Sequence, residues 1–542
     1  MKKAFVLVLL AIISSVKGFA LTPEGIEYNY TLIDGLYYRL FDDAVWVSCK
    51  TRIDYVDFSA YISADYSGKL IIPESVIYEG KEYVVSGVDD NAFINSTIDT
   101  LIVPKTIKRT GVNWGGQVDK LFIDSWEWWN SLTIGNSFER AKEELDMGRK
   151  DWLSSANHVF VGGEECDLSH LVLPEGLTSI RDFAFTGCDT IKSITLPSTV
   201  TSLGEYCFSK CNGLTSVSIP DQVTYLGSCA FQYCSSLEEL VIGDGIQDIL
   251  EHSFQQCENL NTVTVGHGLK TINGFDGTYI SKFIIRDLAS WCVLKGAERL
   301  MRTDSSKEPH LLFDSDGNEI LDVVVPDGVK EIGKHCFSHS VIKSVSLPAS
   351  ITAIKSSAFS SCKNLYSIVM PDNSMLKSVD EYAFYNCSKL NSISIPDQTE
   401  TIGNHAFNGC TNLSSVTIGR NVTHLGSMAF NFYSWEKGKP MMVVSRIEKP
   451  YAFDNDVFNE ITYREGLLTV PSGTKDRYVR LDGWRNFLTI EESDMNKISS
   501  QNADEKKPTG NSRQLFDLQG HRLIQKPEKG MYILGGQKYI VK

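Results

Sequence analysis

Cysteine is the most chemically versatile residue in this chain, and its placement is regular. The sequence has 13 cysteines. Four of them are 23 residues apart, namely Cys188, Cys211, Cys234 and Cys257. Thiolates could bind zinc, but no Cys-x-x-Cys pair is present to supply two neighbouring ligands. A cysteine that recurs at one position of a repeat is most simply a small buried apolar side chain. Disulfides between a few stacked turns are the alternative, because such turns bring Cα atoms to about bridging distance.

Two acidic patterns could act on a substrate or bind a metal. Glu238 and Glu239 are neighbours on a predicted strand, so their side chains face opposite sides and cannot act together on a glycosidic bond. Residues 314–319 partly resemble a calcium loop, but glycine is at the fourth position and no glutamate follows at the twelfth. The Asp-Gly pair at 316–317 lies between two apolar runs, which favours a hairpin turn instead.

Motifs and charge exclude several function classes. The chain contains no Gly-x-Ser-x-Gly elbow, His-Glu-x-x-His motif, phosphate loop or dinucleotide fingerprint. The formal net charge is −15 and the pI is about 5.2, which argues against binding to nucleic acid or to anionic lipid. The sequence therefore predicts no enzyme, and no catalytic, cofactor-binding or metal-binding residues.

The elements that carry the cysteines follow a repeat. In one turn, the alternation of Val217 and Ile219 predicts a short strand, which Pro220 ends because it lacks an amide donor. Gly227 is expected to permit a turn conformation that is closed to most residues. Phe231 is predicted to fill the space inside the coil.

A second run of the repeat lies further along the chain. Its phenylalanines are spaced 22, 25, 23 and 23 residues apart, namely Phe337, Phe359, Phe384, Phe407 and Phe430. A fixed period of this length indicates a solenoid in which each unit buries its apolar face against its neighbours. We expect about a dozen turns with short parallel strands about 4.8 Å apart.

The full repeat pattern is L-x-x-V-x-I-P-x-x-V-x-x-L-G-x-x-A-F-x-x-C-x-x-L. It resembles the bacterial leucine-rich repeat surface proteins of the BspA type over residues 69–435. The resemblance implies a curved right-handed solenoid, display at the cell surface, and adhesion or binding to host proteins. It implies no shared catalytic residues.

The N-terminus has the features of an export signal. Lys2 and Lys3 precede an apolar run over residues 4–13, which is too short to span a bilayer. Small residues up to Ala20 form a plausible cleavage site. No other apolar stretch is long enough for a membrane helix. We therefore expect an exported protein that is located at the cell surface or outside the cell.

The repeat and its interruptions divide the chain into segments. We predict a signal peptide (1–20), an N-terminal β cap (21–68), the solenoid (69–435) with irregular islands at about 112–168 and 269–320, a C-terminal capping module (436–495), a flexible linker (496–513) and a β-rich tail (514–542). Three short strands separated by glycines are predicted in the tail. It is similar to the C-terminal sorting signals of the type IX secretion pathway, which implies surface export machinery as a partner. A small accessory β module is the alternative.

The predicted function is non-enzymatic adhesion or binding of a host protein or glycan. Alternatives are a structural or nutrient-capturing surface protein, or a hydrolase with its site in the islands. Hydroxyl side chains that face away from the core form one candidate ligand surface: Ser193, Thr195, Ser216, Ser218, Thr262 and Thr264. The first island adds Trp126, Trp128 and Trp129. The alternative explanations are that the hydroxyl groups keep this face soluble and that the tryptophans fill the coil.

Overall fold

The computed structural model describes residues 66–495 except 90–91, 94–95, 112–115, 135–152, 302–307, 372 and 432–439, together with strands between residues 19 and 63 and between 515 and 541. Most of the predicted signal peptide and the whole predicted linker lie outside these residues. The chain forms two compact units, residues 1–237 with 250–259, and residues 238–249 with 260–542. Together they hold about 16 turns of a β-solenoid.

The first unit begins with antiparallel strands and continues with parallel ones. Its elements are β1 (Phe19–Thr22), β2 (Gly25–Tyr28), β3 (Tyr30–Ile33), β4 (Leu36–Leu40), β5 (Ala44–Ser48), β6 (Lys50–Ile53), β7 (Ala60–Ser63), β8 (Ser67–Ile71), β9 (Ser75–Tyr78), β10 (Lys81–Val88), β11 (Thr97–Ile102), β12 (Arg109–Thr110), β13 (Gln117–Ile123), α1 (Trp126–Ser131), β14 (Thr133–Ile134), β15 (Ala156–Val161), β16 (Glu164–Cys166), β17 (His170–Val172), β18 (Ser179–Ile180), β19 (Ser193–Thr195), β20 (Ser202–Leu203), β21 (Ser216–Ser218) and β22 (Tyr225–Leu226).

The second unit is mostly parallel. Its elements are β23 (Glu239–Val241), β24 (Asp248–Ile249), β25 (Thr262–Val265), β26 (Thr271–Ile272), β27 (Lys282–Ile285), α2 (Leu288–Cys292), β28 (Leu311–Asp314), β29 (Asp322–Val324), β30 (Glu331–Ile332), β31 (Ser344–Ser346), β32 (Ala353–Ile354), β33 (Ser367–Val369), β34 (Ser378–Val379), β35 (Ser392–Ser394), β36 (Thr401–Ile402), β37 (Ser415–Ile418), β38 (His424–Leu425), β39 (Met442–Ser445), α3 (Glu460–Glu465), β40 (Leu467–Pro471), α4 (Lys475–Tyr478), β41 (Thr489–Ser493), β42 (Leu515–Phe516), β43 (Arg522–Leu523), β44 (Gly530–Leu534) and β45 (Gln537–Val541).

Each regular turn forms two short strands rather than the single strand predicted. The longer strands pair in parallel as β17–β19–β21, and two-residue strands form a second parallel ladder, β18–β20–β22. Ser193 lies opposite Ser216, and Leu203 lies opposite Leu226. Each step is therefore one 23-residue turn. The second strand has only one inward residue, which is too little alternation for a sequence pattern to reveal.

The repeat phenylalanines form a continuous stack in the core of each unit. Ring centroids of Phe185, Phe208, Phe231 and Phe254 are successively 5.2, 5.2 and 5.4 Å apart. In the second unit, five further pairs from Phe337 onward are stacked in the same way. The prediction that this residue fills the coil is confirmed.

The repeat cysteines are buried thiols with a hydrogen-bonding role. The Sγ atom of Cys234 donates to the carbonyl oxygen of Phe208 at 3.1 Å, and Cys257 donates to Phe231 at 3.2 Å. The twelve cysteines that the structure describes hold thiols rather than disulfides. Burial raises the pKa of Cys257 to about 12, so this thiol stays neutral and unreactive. The buried-thiol interpretation is confirmed, and the hydrogen bond between turns is an addition to it.

A corner of each regular turn is held in the left-handed conformation by residues other than glycine. Tyr206 and Lys210 have φ values of 56° and 59°, and Cys229 and Tyr233 occupy the same positions one turn later. This conformation costs an L-residue about 1–2 kcal/mol. Hydrogen bonds between turns offset the cost, because Lys210 N–H donates to the carbonyl of Gln232 at 2.7 Å.

The predicted turn conformation of Gly227 is wrong, although glycine is needed at this position. Gly227 does not have a positive φ. Instead, a Cβ atom here would lie 2.5 Å from the backbone nitrogen of Glu205 and 2.6 Å from the carbonyl carbon of Gly204. Glycine is needed because adjacent turns approach too closely for a side chain.

The two islands have the same local architecture within their own units. In each, a parallel strand, β13 or β27, is followed by a short helix, α1 or α2, that begins after an N-cap residue. Ser125 accepts a hydrogen bond from the backbone of Trp128, and Asp287 accepts from Ala289 and Ser290. The predicted hairpin at 314–319 is confirmed, because Phe313 forms an antiparallel bridge with Glu319.

Both terminal segments contain several strands. Strands β3, β4 and β5 are successively antiparallel. In the C-terminal module, β39, β40 and β41 continue in parallel from β37. These strands add turns to the dozen that were predicted. The tail has four antiparallel strands rather than three, because the first predicted strand divides into β42 and β43, which pair with each other. Among the described residues, no helix combines the length and apolar character needed to cross a bilayer.

Candidate functional site

The predicted hydroxyl surface of the first unit lies on the outer face, which we define as the side of the longer-strand sheets that points away from the core. Thr195, Ser216 and Ser218 are exposed, and Ser193 is half-buried. Between Ser193 and Thr195, Ile194 points inward and is buried, so the alternation places both hydroxyl groups outward. These four residues are accessible to a ligand.

The predicted hydroxyl surface of the second unit is less accessible. Thr262 is half-buried and donates to the side-chain oxygen of Asn261 at 2.8 Å. Thr264 is only 7% exposed. It lies between Val241 and Ile284 in the parallel register.

The tryptophans of the first island fill the coil. Trp126, Trp128 and Trp129 are all buried on α1. The indole N–H of Trp128 donates to the carbonyl of Ile107 at 2.9 Å, and that of Trp129 donates to Ala184 at 3.0 Å. All three rings are buried and the indole N–H groups of Trp128 and Trp129 are bonded within the protein, so we leave these tryptophans out of the candidate ligand surface.

An apolar row on the outer face of the first unit was missed by sequence reasoning. Ile71, Ile102, Phe122 and Phe160 are aligned on four neighbouring parallel strands, β8, β11, β13 and β15. Ile71 is 53% exposed and the other three are half-buried. The rings of Phe122 and Phe160 stack at 4.3 Å with an angle of 9° between their planes. At the same position, regular turns carry the smaller residues serine, threonine or valine, for example Thr195, Ser218 and Val241.

Polar side chains line the same strands beside the apolar row. Lys120 and His158 are aligned two residues before the two phenylalanines. The imidazole Nδ1 of His158 lies 2.6 Å from the carboxylate of Glu165. One residue earlier on each strand, the side-chain amide of Asn157 donates to the carboxylate of Asp119 at 3.1 Å. The outer face here combines hydrogen-bonding groups of both signs of charge with an apolar strip, so it can bind an amphipathic ligand.

The second unit has an equivalent feature at its own island. Ile284 on β27 lies opposite Phe313 on β28, and both are half-buried on the outer face. The ammonium of Lys282 is 4.7 Å from the centre of the Phe313 ring. Lys282 and Ile284 occupy the places that Lys120 and Phe122 have in the first island. We call the row of Ile71, Ile102, Phe122 and Phe160 the first outer row, and the pair Ile284 and Phe313 the second outer row.

In the described part of the chain, no group of three or more His, Cys, Asp or Glu side chains is placed to hold a metal ion.

Parallel ladders, a period of about 23 residues and inward phenylalanines define the class as a leucine-rich repeat solenoid. Residues 157–276 and 313–436 match the BspA type leucine rich repeat region in six copies. The resemblance to BspA-type leucine-rich repeat proteins is therefore confirmed over these two ranges. The unmatched residues between the two ranges fall within the second island.

Several solved structures are similar to this chain. A leucine-rich repeat protein from Bacteroides ovatus is 18% identical, with a TM-score of 0.42, over 86% of this chain and 100% of that chain. A leucine rich cell surface protein from Faecalibacterium prausnitzii is 18% identical, with a TM-score of 0.34, over 84% and 97%. The pneumococcal vaccine antigen PcpA is 16% identical, with a TM-score of 0.35, over 86% and 99%. No curated protein matches the chain.

Proposed function

We propose that this protein is exported, is associated with the cell surface, and binds an extracellular protein or glycan without catalysing a reaction. The ligand contacts the outer face of the parallel sheets. The observation that carries this proposal is the presence of an outer row in each unit, with aromatic rings where regular turns have serine, threonine or valine. Half-buried aromatic side chains on a solvated sheet face are characteristic of interaction surfaces.

The polar surroundings support a binding role for the same face. Next to the first outer row, Lys120 can donate to a ligand, and Asp119 and Glu165 can accept. Such groups supply orientation, whereas apolar contacts supply most of the affinity. The hydroxyl groups of Ser216 and Ser218 extend the polar part of this face within the first unit.

A panel of glycans and matrix proteins distinguishes the function classes. We expect the intact protein to be retained by at least one member of the panel and to release no product from it. Chromatography of the unbound fraction measures both outcomes. Turnover of a polysaccharide or peptide without stable retention would contradict the proposal and favour a hydrolase in the islands. Retention of small nutrients alone would favour nutrient capture.

The export half of the proposal depends on the two ends of the chain. The basic and apolar start suits a signal peptide, and β42 to β45 form a small antiparallel sheet that suits recognition by surface export machinery. We expect deletion of residues 515–542 to leave the thermal unfolding midpoint unchanged and to trap the protein within the cell envelope. Surface labelling and cell fractionation test this. If the truncated protein reaches the surface in normal amounts, the sorting role is contradicted and the tail is an accessory module.

A further inference from the structure

Two arginines share one carboxylate at a turn of the second unit. Asp397 follows β35, and its Oδ1 atom accepts a hydrogen bond from the backbone N–H of Arg420 at 3.1 Å. The guanidinium groups reach the same carboxylate at longer range. Arg420 Nε is 3.7 Å from Oδ2, and Arg446 Nη1 is 3.5 Å from Oδ1. Both distances exceed those of a good charge-assisted hydrogen bond.

The charge of this cluster is not balanced. Two guanidinium groups and one carboxylate leave a surplus of one positive charge, and neither arginine has another carboxylate partner among the described residues. The side chain of Arg446 is only 16% exposed. Its Nε atom is buried and has no acceptor in the described part of the chain. An under-compensated charge at a mostly buried site is costly unless an anion or water supplies the missing contacts.

The same unit contains an equivalent turn in which the contacts are satisfied. Asp244 accepts from the backbone N–H of His267 at 3.0 Å and lies 2.9 Å from its imidazole. Arg286 Nη1 donates to the same carboxylate at 3.2 Å. Partial burial raises the pKa of Asp244, but these hydrogen bonds outweigh it and leave the pKa below its ordinary value. Histidine at 267 replaces arginine at 420, so this cluster has one guanidinium group, that of Arg286, for one carboxylate.

We propose that Arg420 and Arg446 form a binding site for an oxyanion beside the carboxylate of Asp397. The ligand group is a sulfate, a phosphate or a carboxylate. Paired guanidinium groups present planar donors that match the oxygens of these anions. The exposed nitrogens of the two side chains contact the anion, and the buried Nε remains within the protein. This inference does not depend on the outer rows, and it adds a charge-selective site to a chain whose formal net charge is −15.

Titration of the full chain with small anions tests the site. We would add sulfate, phosphate and acetate separately at constant ionic strength and record the heat of binding. We expect saturable uptake of one anion per chain, and the tightest of the three identifies the ligand group. The absence of saturable uptake for all three would overturn the proposal.

Matched variants separate binding from structure. Arg420 is 51% exposed, so Arg420→Gln is expected to fold normally and to bind at least tenfold more weakly. Arg286→Gln, at the satisfied turn, is the control and should bind as the wild type does. Asp397→Asn keeps an acceptor for the Arg420 N–H but removes the negative charge of the Asp397 carboxylate. We therefore expect this variant to bind the added anion more tightly. Equal binding by wild type and Arg420→Gln would contradict the proposal, and so would weaker binding by Asp397→Asn when its unfolding midpoint is normal.

Discussion

Replacing Phe231 with alanine is expected to lower the free energy of unfolding by about 3–5 kcal/mol. Phe231 is completely buried, and its ring lies 5.2 Å from that of Phe208 and 5.4 Å from that of Phe254. The backbone ladders fix the spacing of the turns, so neighbouring rings cannot move together to fill the cavity. Chemical unfolding followed by circular dichroism measures the loss.

Cys234→Ala is the matched control for this prediction. It removes a smaller side chain three residues away and one hydrogen bond, from Sγ to Phe208 at 3.1 Å. Such a bond contributes about 1 kcal/mol, so we expect a much smaller decrease than for Phe231→Ala. An unchanged midpoint for Phe231→Ala would show that the ring does not support the core.

Replacing both Phe122 and Phe160 with serine is expected to weaken ligand binding at least tenfold, which corresponds to about 1.4 kcal/mol. The two rings form the aromatic part of the first outer row, and truncation of central aromatic contacts has the largest effect in most interfaces. Affinity for the ligand that the panel identifies is measured at equilibrium, together with the unfolding midpoint.

Leu488→Ser is the control for the outer-row variant. Leu488 is 74% exposed. It lies just before β41 in the C-terminal module and belongs to neither outer row. We expect it to leave affinity unchanged. If the double variant binds as well as the wild type while Ser216→Ala and Ser218→Ala weaken binding, the hydroxyl surface and not the first outer row is the contact.

The fold could be predicted because the repeat imposes one inward pattern many times. Phe231 and Cys234 recur with their neighbours at a fixed period. Because many turns repeat the same pattern, it is not an accident of one segment. The left-handed corners could not be predicted, since Tyr206 and Lys210 are not residue types that favour positive φ. Hydrogen bonds between turns stabilise them, and those bonds exist only after stacking.

The outer rows could be recognised only in part from the sequence. The segment around Phe122 is apolar at consecutive positions, so alternation does not tell which side chains point outward. A comparison with the serine, threonine and valine at the equivalent positions of regular turns would have indicated Phe122 and Phe160. The tryptophans of α1 attracted attention because of their size, but large aromatic side chains fill cores as often as they form surfaces.

The arginine pair shows a different limit of sequence reasoning. Asp397, Arg420 and Arg446 come from three separate turns, and their meeting depends on the parallel register. The extra length of the last turn, which includes residues that follow no regular period, hides the alignment of Arg446 with the other two. Only the structure brings the three charges together.

The most direct test of the account is hydroxyl-radical footprinting of the intact protein with and without the ligand that the panel identifies. The account predicts that the ligand protects the side chains of the first outer row, Phe122 and Phe160 above all, and leaves buried residues such as Phe231 unreactive in both states. Protection confined to the C-terminal module, with Phe122 and Phe160 equally reactive in both states, would contradict the claim that the outer face of the solenoid binds the ligand.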